Sequence, residues 1–346
     1  MLRYFKIILG LTTVLFFINS CDDYCEQVEQ LYYFPPVESN EWTTITPEEL
    51  GWNNSKLNET INFVKDQRSG VFIVLYKGKM VVEEYWMGWD VYSRGKIASI
   101  NKSITSVLVG IAQEQGKLNI EDKVFDYLGR GWSKSSMENE SEITIRHLLT
   151  MTSGLDDYLS YTDDAGTAFY YNTIAFNQLW PVLEKATDKS IDIYADEVLF
   201  KKIGMTKAIK WYKGGDLLPR DLARFGLMIL SEANWETDRI LLDKKYYHDM
   251  LSPSQTFVRC YGYLWWLNNN CNANNNDEEL RLFNNAPIDL IAALGAGDQK
   301  LYIVPSRDLV IIRLGFFPDT PYWGEESFNN KFWALMNEVI NKYENL

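Results

Sequence analysis

A serine and a lysine three residues apart, Ser99 and Lys102, stand where a short polar segment meets an apolar run with helical spacing. A serine hydroxyl is a poor nucleophile at neutral pH and needs a neighbouring base, which a lysine of lowered pKa can provide. Residues three apart on a helix project from the same face, so the two side chains can meet. Because Ser-x-x-Lys is expected about once by chance in a chain this long, the pair needs support from its surroundings.

Other serine and histidine residues are weaker candidates for the same chemistry. Residues 93–96 repeat the Ser-x-x-Lys spacing, but this copy contains Gly95 and no apolar helix follows it directly. A Gly-x-Ser-x-Gly turn does not occur in the sequence. His147 opens a leucine-rich helical stretch and His248 lies on a polar face, which favours structural roles for both.

The composition is that of a globular chain with a large core. The 346 residues are 46% hydrophobic and 14% aromatic, enough for one large domain or two closely joined lobes. The net charge of −13 would be repelled by phosphate backbones, which argues against a nucleic-acid partner. Two histidines and no metal-like cysteine spacing argue against a metal centre, and no motif for an organic cofactor is visible.

The N-terminus has the pattern of a lipoprotein signal peptide. Arg3 and Lys6 precede an apolar stretch of secretory-signal length, residues 7–18, and a small residue then precedes Cys21. We therefore expect residues 1–21 to hold the signal peptide and its lipidation box, with Cys21 carrying the lipid in a bacterial cell envelope. The alternative is cleavage as an ordinary secreted protein. The polar, proline-containing segment 22–45 is expected to be a tether to the membrane.

The remaining cysteines allow one disulfide. Cys260 and Cys271 are near neighbours in sequence and could pair in an oxidising compartment, whereas Cys25 has no evident partner.

Strand patterns lie at both ends of the chain and helical patterns lie between them. Residues 70–86 predict a hairpin, and three short apolar runs within residues 288–315 predict adjoining strands. Residues 117–250 alternate helical patterns with Gly, Asp and Asn breaks, and residues 328–340 predict a closing amphipathic helix. The predicted fold is α/β (α+β): an antiparallel sheet built from both chain ends, flanked by helices, with an inserted and mostly helical lobe.

Five further stretches give the chain a resemblance to a known family. They resemble, in the family's order, the signature segments of serine hydrolases related to class C β-lactamases and DD-peptidases, which include esterases and amide hydrolases. The resemblance covers roughly residues 50–345, within an expected hydrolase domain of residues 46–346. The stretches are TIRHLLTMTSGLDD (144–157), FYYNT (169–173), RDLARFGLMIL (220–230), YGYLWWL (261–267) and LGAGDQKLYIVPSRDLVIIRLG (294–315).

The resemblance implies a role for each matching residue. Ser99 would be the nucleophile that forms the acyl-enzyme, and Lys102 would accept its proton. Tyr170 would carry the proton toward the leaving group, and Asn172 would orient Lys102 or a substrate amide. Backbone N–H groups of Ser99 and Ala296, the latter next to Gly295, would form the oxyanion hole.

The chain also departs from the family pattern. Ala293, Leu294 and Gly295 stand where many relatives have a cation followed by Thr and Gly, so penicillin-type substrates that present a carboxylate are less expected. Asp298 replaces a common Gly, and Tyr171 replaces a common small residue. Trp265 and Trp266 are expected in the core, with a substrate-stacking wall as the alternative for one of them.

The expected function is hydrolysis of a small-molecule or peptide-like ester or amide by an envelope-anchored serine hydrolase, without a cofactor. One alternative is a DD-carboxypeptidase or β-lactamase acting on peptidoglycan-type substrates. Another is a non-catalytic surface binding module on the same fold.

Overall fold

Both ends of the chain contribute strands to one antiparallel sheet in the computed structural model, which describes residues 31–208, 211–271, 281–321 and 324–340. Within these residues the six strands lie in the order β2-β1-β10-β9-β8-β7, and two short two-stranded ribbons pair β3 with β4 and β5 with β6. The strands are β1 (Ser69–Tyr76), β2 (Lys79–Tyr85), β3 (Gly95–Lys96), β4 (Asp216–Leu217), β5 (Asn234–Trp235), β6 (Asp238–Arg239), β7 (Trp266–Leu267), β8 (Ile291–Gly295), β9 (Gln299–Val304) and β10 (Leu309–Gly315).

Helices cover both faces of the sheet. Helices α1 and α11, from the two ends of the described chain, lie on one face, and α2 and α9 lie on the other. The helices are α1 (Asn54–Asp66), α2 (Ile100–Glu114), α3 (Val124–Leu128), α4 (Met137–Glu140), α5 (Ile145–Leu149), α6 (Thr173–Phe176), α7 (Leu179–Thr187), α8 (Ile191–Ala195), α9 (Pro219–Leu230), α10 (Lys244–Met250) and α11 (Phe328–Ile340).

The alternation of side chains along β1 separates two hydrophobic cores. Val71, Ile73 and Leu75 face the larger core, which also contains the buried side of α2. Phe72 and Val74 face the smaller core under α1 and α11. Because successive residues of a strand point to opposite faces, one strand serves both cores. The predicted fold, an antiparallel sheet from both chain ends with a mostly helical lobe between its strands, is confirmed.

The hairpin between β1 and β2 turns where the sequence predicts it. Lys77 and Gly78 have φ values of 48° and 81°, the left-handed conformations that a two-residue hairpin turn requires. A Cβ atom on Gly78 would lie 1.9 Å from the carbonyl oxygen of Tyr33, so the turn also needs glycine for the close approach of the N-terminal segment.

Part of the segment expected as a tether is docked on the domain. Arg224, which is 2% exposed, donates hydrogen bonds to the carbonyl oxygens of Pro35, Pro36 and Ser39, and Phe34 is buried. These hydrogen bonds hold the backbone at Pro35, Pro36 and Ser39 against α9. Residues 1–30, which carry the expected signal peptide and Cys21, lie outside the described residues. No helix in the described ranges combines the length and apolarity needed to cross a bilayer.

Candidate active site

Ser99 lies at the N-cap position of α2, with its side chain partly exposed. The preceding residue, Ala98, has a φ of 50°, a left-handed conformation that is strained for a residue with a Cβ atom. Strain of this kind persists only where the surroundings enforce it, and it clusters at functional sites. Ala98 is buried and thus held in place, and its conformation sets the direction in which the chain enters α2 at Ser99.

Lys102 meets Ser99 as the helical spacing predicts. Its Nζ atom lies 3.0 Å from Ser99 Oγ, and the side chain is only 3% exposed. Burial lowers the pKa of Lys102 to about 8, because a charged ammonium loses its hydration in this environment. No carboxylate among the described residues forms an ion pair with it. The free amine is therefore accessible near neutral pH beside a serine hydroxyl.

Tyr171, rather than its neighbour Tyr170, is the tyrosine that contacts Lys102. The Lys102 Nζ atom lies 5.2 Å from the centroid of the Tyr171 ring and 4.7 Å from that of Phe176. The side chain of Tyr170 is 48% exposed, and its hydroxyl donates a hydrogen bond of 2.9 Å to Asp157 Oδ2. This carboxylate raises the pKa of Tyr170. The structure thus does not bring the hydroxyl of Tyr170 to Lys102; the aromatic neighbour of Lys102 from this segment is Tyr171, a contact that the sequence did not predict.

An aromatic cluster supports Tyr171. Its ring stacks on Trp266 with centroids 5.7 Å apart, and the edge of Tyr261 packs against both rings. Trp266 is partly exposed, whereas Trp265 is completely buried and stacks on Phe225. Trp266 is therefore the tryptophan at the edge of the site, and Trp265 is a core residue.

The structure contains the disulfide that the sequence allowed. Cys260 and Cys271 are bonded, and the loop that they close carries Tyr261 and Trp266. The bond therefore restrains the backbone that supplies two of the rings packed around Tyr171.

The side chain of Asn172 forms hydrogen bonds with backbone groups rather than with Ser99 or Lys102. Its side-chain oxygen accepts hydrogen bonds from the N–H groups of Ile174 and Ala175 at the start of α6. Its amide nitrogen donates to the carbonyl oxygens of Leu155 and Asp156. Both amide hydrogens are engaged, so the expected orientation of Lys102 or of a substrate amide is not among its contacts.

The end of β8 lies against the chain that precedes Ser99. A Cβ atom on Gly295 would lie 2.3 Å from the carbonyl oxygen of Ile97 and 3.3 Å from Ala98 Cβ, so only glycine allows this approach. Ala296 is the exposed residue that follows. Within the described residues, the backbone N–H groups of Ser99 and Ala296 have no hydrogen-bond acceptor. These two donors are therefore open to an external acceptor such as an oxyanion.

The departures from the family pattern also have structural counterparts. Ala293 is 1% exposed in β8 and brings no charge to the site. The Asp298 carboxylate is 2.7 Å from Lys300 Nζ, and both side chains are buried. No cluster of His, Cys, Asp or Glu suited to a metal ion occurs in the described parts of the chain.

The two histidines and the second Ser-x-x-Lys copy have other roles. His147 Nδ1 accepts the N–H of Thr144 in a capping box at the start of α5. His248 is exposed on α10. The Ser93 hydroxyl donates to Asp90 Oδ1 in a loop, and no lysine among the described residues hydrogen-bonds to it. The sequence-based preference for the Ser99 pair thus agrees with the contacts of the other candidates.

Comparison with known proteins relates this geometry to a family. A family model described as Beta-lactamase matches residues 58–208, which include Ser99, Lys102 and Tyr171. No curated protein matches the sequence significantly.

Several solved structures share the fold at low sequence identity. A candidate β-lactamase from Bacteroides dorei has a TM-score of 0.66 and 16% identity, covering 84% of this chain and 100% of its own. A candidate 6-aminohexanoate-dimer hydrolase from Bacillus anthracis has a TM-score of 0.65 and 17% identity, covering 89% and 88%. A penicillin-binding protein from Bacillus halodurans has a TM-score of 0.60 and 16% identity, covering 82% and 99%. Residues 58–208 thus resemble the Beta-lactamase family model, and the chain as a whole shares the fold of these solved structures.

Proposed function

We propose that this protein is a serine hydrolase that cleaves an ester or amide through an acyl-enzyme on Ser99. The observation that carries the proposal is the contact of 3.0 Å between Lys102 Nζ and Ser99 Oγ, made by a buried lysine whose pKa is lowered to about 8. A serine hydroxyl beside a neutral amine has the base that nucleophilic attack requires.

The proposed reaction begins when the free amine of Lys102 takes the proton of the Ser99 hydroxyl. The Ser99 oxygen attacks the substrate carbonyl, and the N–H groups of Ser99 and Ala296 stabilise the resulting oxyanion. Collapse of this intermediate breaks the bond to the leaving alcohol or amine, which receives the proton and departs. A water molecule then attacks the acyl-enzyme in the same way and restores Ser99.

Tyr171 is proposed as the group that assists Lys102 in moving this proton. Its ring packs against the Lys102 ammonium, whereas the hydroxyl of Tyr170 is engaged with Asp157 at the surface. The tyrosine role that the sequence resemblance implies is thus carried by the neighbouring residue.

A neutral ester or amide is favoured over a penicillin-type substrate. The position that usually holds a cation in the family is Ala293, which is buried and uncharged. Residue 293 would offer no positive charge to a substrate carboxylate. The free-energy cost of removing that carboxylate from water would therefore not be offset at this position.

Labelling of the nucleophile tests the proposal. Wild type, Ser99→Ala and the matched variant Ser93→Ala are incubated separately with a fluorophosphonate, p-nitrophenyl butyrate and a penicillin, and intact masses are measured. We expect an adduct on wild type and Ser93→Ala but not on Ser99→Ala. Labelling by penicillin, with hydrolysis of nitrocefin, would instead support the β-lactamase or DD-carboxypeptidase alternative. If no reagent labels wild type, the binding-module alternative replaces the enzyme.

We further propose that the protein is anchored to the bacterial cell envelope by a lipid on Cys21. The support is the sequence pattern of residues 1–21. Expression of the full chain with radiolabelled palmitate should label wild type and Cys25→Ser but not Cys21→Ser, and labelled protein should partition into detergent. Unlabelled wild type in the aqueous phase would contradict the anchor.

A further inference from the structure

The turn between β8 and β9 carries the Ala296 N–H. Side chains donate hydrogen bonds to three successive carbonyl groups of this turn. Gln299 Nε2 lies 3.4 Å from the carbonyl oxygen of Ala296 and 3.1 Å from that of Gly297. The same nitrogen donates to the carbonyl oxygen of Gly315 at 2.7 Å, while Gln299 Oε1 accepts the Gly315 N–H at 2.9 Å. Gln299 is 6% exposed, so these bonds are shielded from water.

The side-chain amide of Gln299 extends the pairing of β9 with β10 beyond the last backbone hydrogen bonds between them. Backbone pairing of β9 with β10 ends at Lys300 and Arg313, two residues before the end of β10. The Gln299 side chain donates to and accepts from Gly315, as a paired backbone amide would. The turn between β8 and β9 is thereby tied to the end of a central strand.

Arg313 holds the same turn from the opposite face of the sheet. Its guanidinium donates to the carbonyl oxygens of Gly297 and Asp298 at 3.3 and 2.8 Å. Arg313 is 1% exposed and is itself fixed by hydrogen bonds to Ser69 Oγ and the carbonyl oxygen of Gln67. The turn carbonyls are therefore bound to a rigid group rather than to a mobile side chain.

Two features of the turn require such support. Asp298 has a φ of 67°, which is strained for a residue with a Cβ atom, and its carboxylate is bound by Lys300. A Cβ atom on Gly297 would lie 2.7 Å from Gln299 Nε2, so glycine at this position lets the carboxamide close over the turn.

We propose that Gln299 and Arg313 are positioning residues that hold the Ala296 N–H in the direction required for the oxyanion. This inference rests on the proposed hydrolase function. On one side of Ala296, Gly295 is paired in the ladder with Gln299. On the other side, the next carbonyl groups are fixed by the Gln299 amide and the Arg313 guanidinium. A donor with a fixed direction stabilises developing charge without reorganising during the reaction, and small displacements of such groups cost large factors in rate.

The test compares Gln299→Glu with a matched carboxamide variant elsewhere. The carboxylate that Gln299→Glu introduces keeps the shape of the side chain and can accept the Gly315 N–H, but it cannot donate to the three carbonyl groups. Asn268 provides the control because it is 1% exposed and binds the backbone of Phe283, Ala286 and Pro287 in a similar way, at the other end of β8. The controls are thus Asn268→Asp and wild type.

The readout is the rate of Ser99 labelling by a fluorophosphonate, whose reaction places a developing charge on oxygen. We expect Gln299→Glu to lower the maximal labelling rate by about 10- to 100-fold while the half-saturating reagent concentration stays within about twofold. Asn268→Asp should lower the melting temperature but leave the maximal rate unchanged. Gln299→Met, which removes the donors without adding charge, should behave like Gln299→Glu, and melting curves establish that each variant is folded at the assay temperature.

The outcomes separate this inference from the proposed function. If wild type is not labelled, the hydrolase function itself fails. If wild type is labelled and folded Gln299→Glu and Gln299→Met react at the wild-type maximal rate, or if Asn268→Asp loses the same factor, the positioning role is overturned.

Discussion

The Nζ atom of Lys102 lies 5.2 Å from the centroid of the Tyr171 ring, on the same lysine that contacts Ser99. The adjacent residue in the chain, Tyr170, instead turns its hydroxyl to Asp157 at the surface. The two neighbouring tyrosines therefore provide a matched pair for assigning the proton-transfer role.

Replacement of each tyrosine by phenylalanine should separate them. Tyr171→Phe removes the hydroxyl of the ring that contacts Lys102, and under the proposed mechanism we expect hydrolysis of p-nitrophenyl butyrate to fall about 100-fold or more. Tyr170→Phe loses only an exposed hydrogen bond and should stay within about threefold of wild type. The measurement is kcat for both variants, and a larger loss in Tyr170→Phe would return the role to Tyr170.

The pH dependence of labelling should report the ionisation of Lys102. Because the pKa of Lys102 is lowered to about 8, about one molecule in ten holds the free amine at pH 7, and this fraction rises as the pH increases. We expect the fluorophosphonate labelling rate to rise with pH, with a midpoint near 8. A rate that does not change between pH 6 and 9.5 would contradict Lys102 as the base.

Removal of the buried charge should stabilise the fold while abolishing activity. The pKa of Lys102 is lower in the folded protein than the ordinary 10.5, so the unfolded chain binds more protons between pH 8 and 10.5. The wild type is therefore penalised below pH 8, and this penalty disappears as the pH rises to 10.5. Lys102→Met should increase the free energy of unfolding at pH 7 by on the order of 3 kcal/mol.

Denaturant unfolding at pH 7 and pH 10 measures this difference. Lys117, an exposed lysine, provides the control, since Lys117→Met should change stability little at either pH. A Lys102→Met advantage that grows with rising pH would have the wrong sign for a buried ammonium.

Gly295→Ala should move the end of β8 away from the chain that precedes Ser99. The added methyl group would meet the Ile97 carbonyl oxygen at 2.3 Å, so either β8 or the chain before Ser99 must move. We expect the free energy of unfolding to fall by about 1 to 3 kcal/mol. We also expect the rate of Ser99 labelling to fall by a larger factor than this destabilisation alone would cause. Gly116→Ala is the control, because its φ of 66° makes the substitution strained while no atom lies within 4 Å of the new Cβ. Gly116→Ala should still be labelled at Ser99. Labelling of Gly295→Ala at the same rate as Gly116→Ala would refute the prediction.

The sequence was sufficient to predict the sheet, α2 and the contact between Ser99 and Lys102. These follow from local periodicity, because a spacing of three on a helix fixes which side chains meet. Tyr171 could not be distinguished from Tyr170 in this way. Both precede Asn172 in a non-helical segment, and which ring faces inward depends on packing against Trp266 and Tyr261. Such contacts join residues about ninety positions apart in the chain.

Local sequence patterns also could not predict the contacts of Asn172 or the docking of residues 31–45. An Asn that precedes a helix can cap it or face a ligand, and only the carbonyl groups of Leu155 and Asp156 decide between the two. The N-terminal segment is polar and contains prolines, but Arg224 in a distant helix donates hydrogen bonds to its carbonyl oxygens. Long-range hydrogen bonds of this kind leave no periodic signal in the sequence.

The pairing of β1 with β10 has a consequence for biosynthesis. Ser69 pairs with Gly315, so these two central strands of the sheet can meet only after the ribosome has synthesised β10. The turn that carries Ala296 is anchored to that late strand through Gln299 and Arg313. A nascent or truncated chain that ends before β10 therefore contains Ser99 and Lys102 but lacks the strand that holds the Ala296 N–H in place.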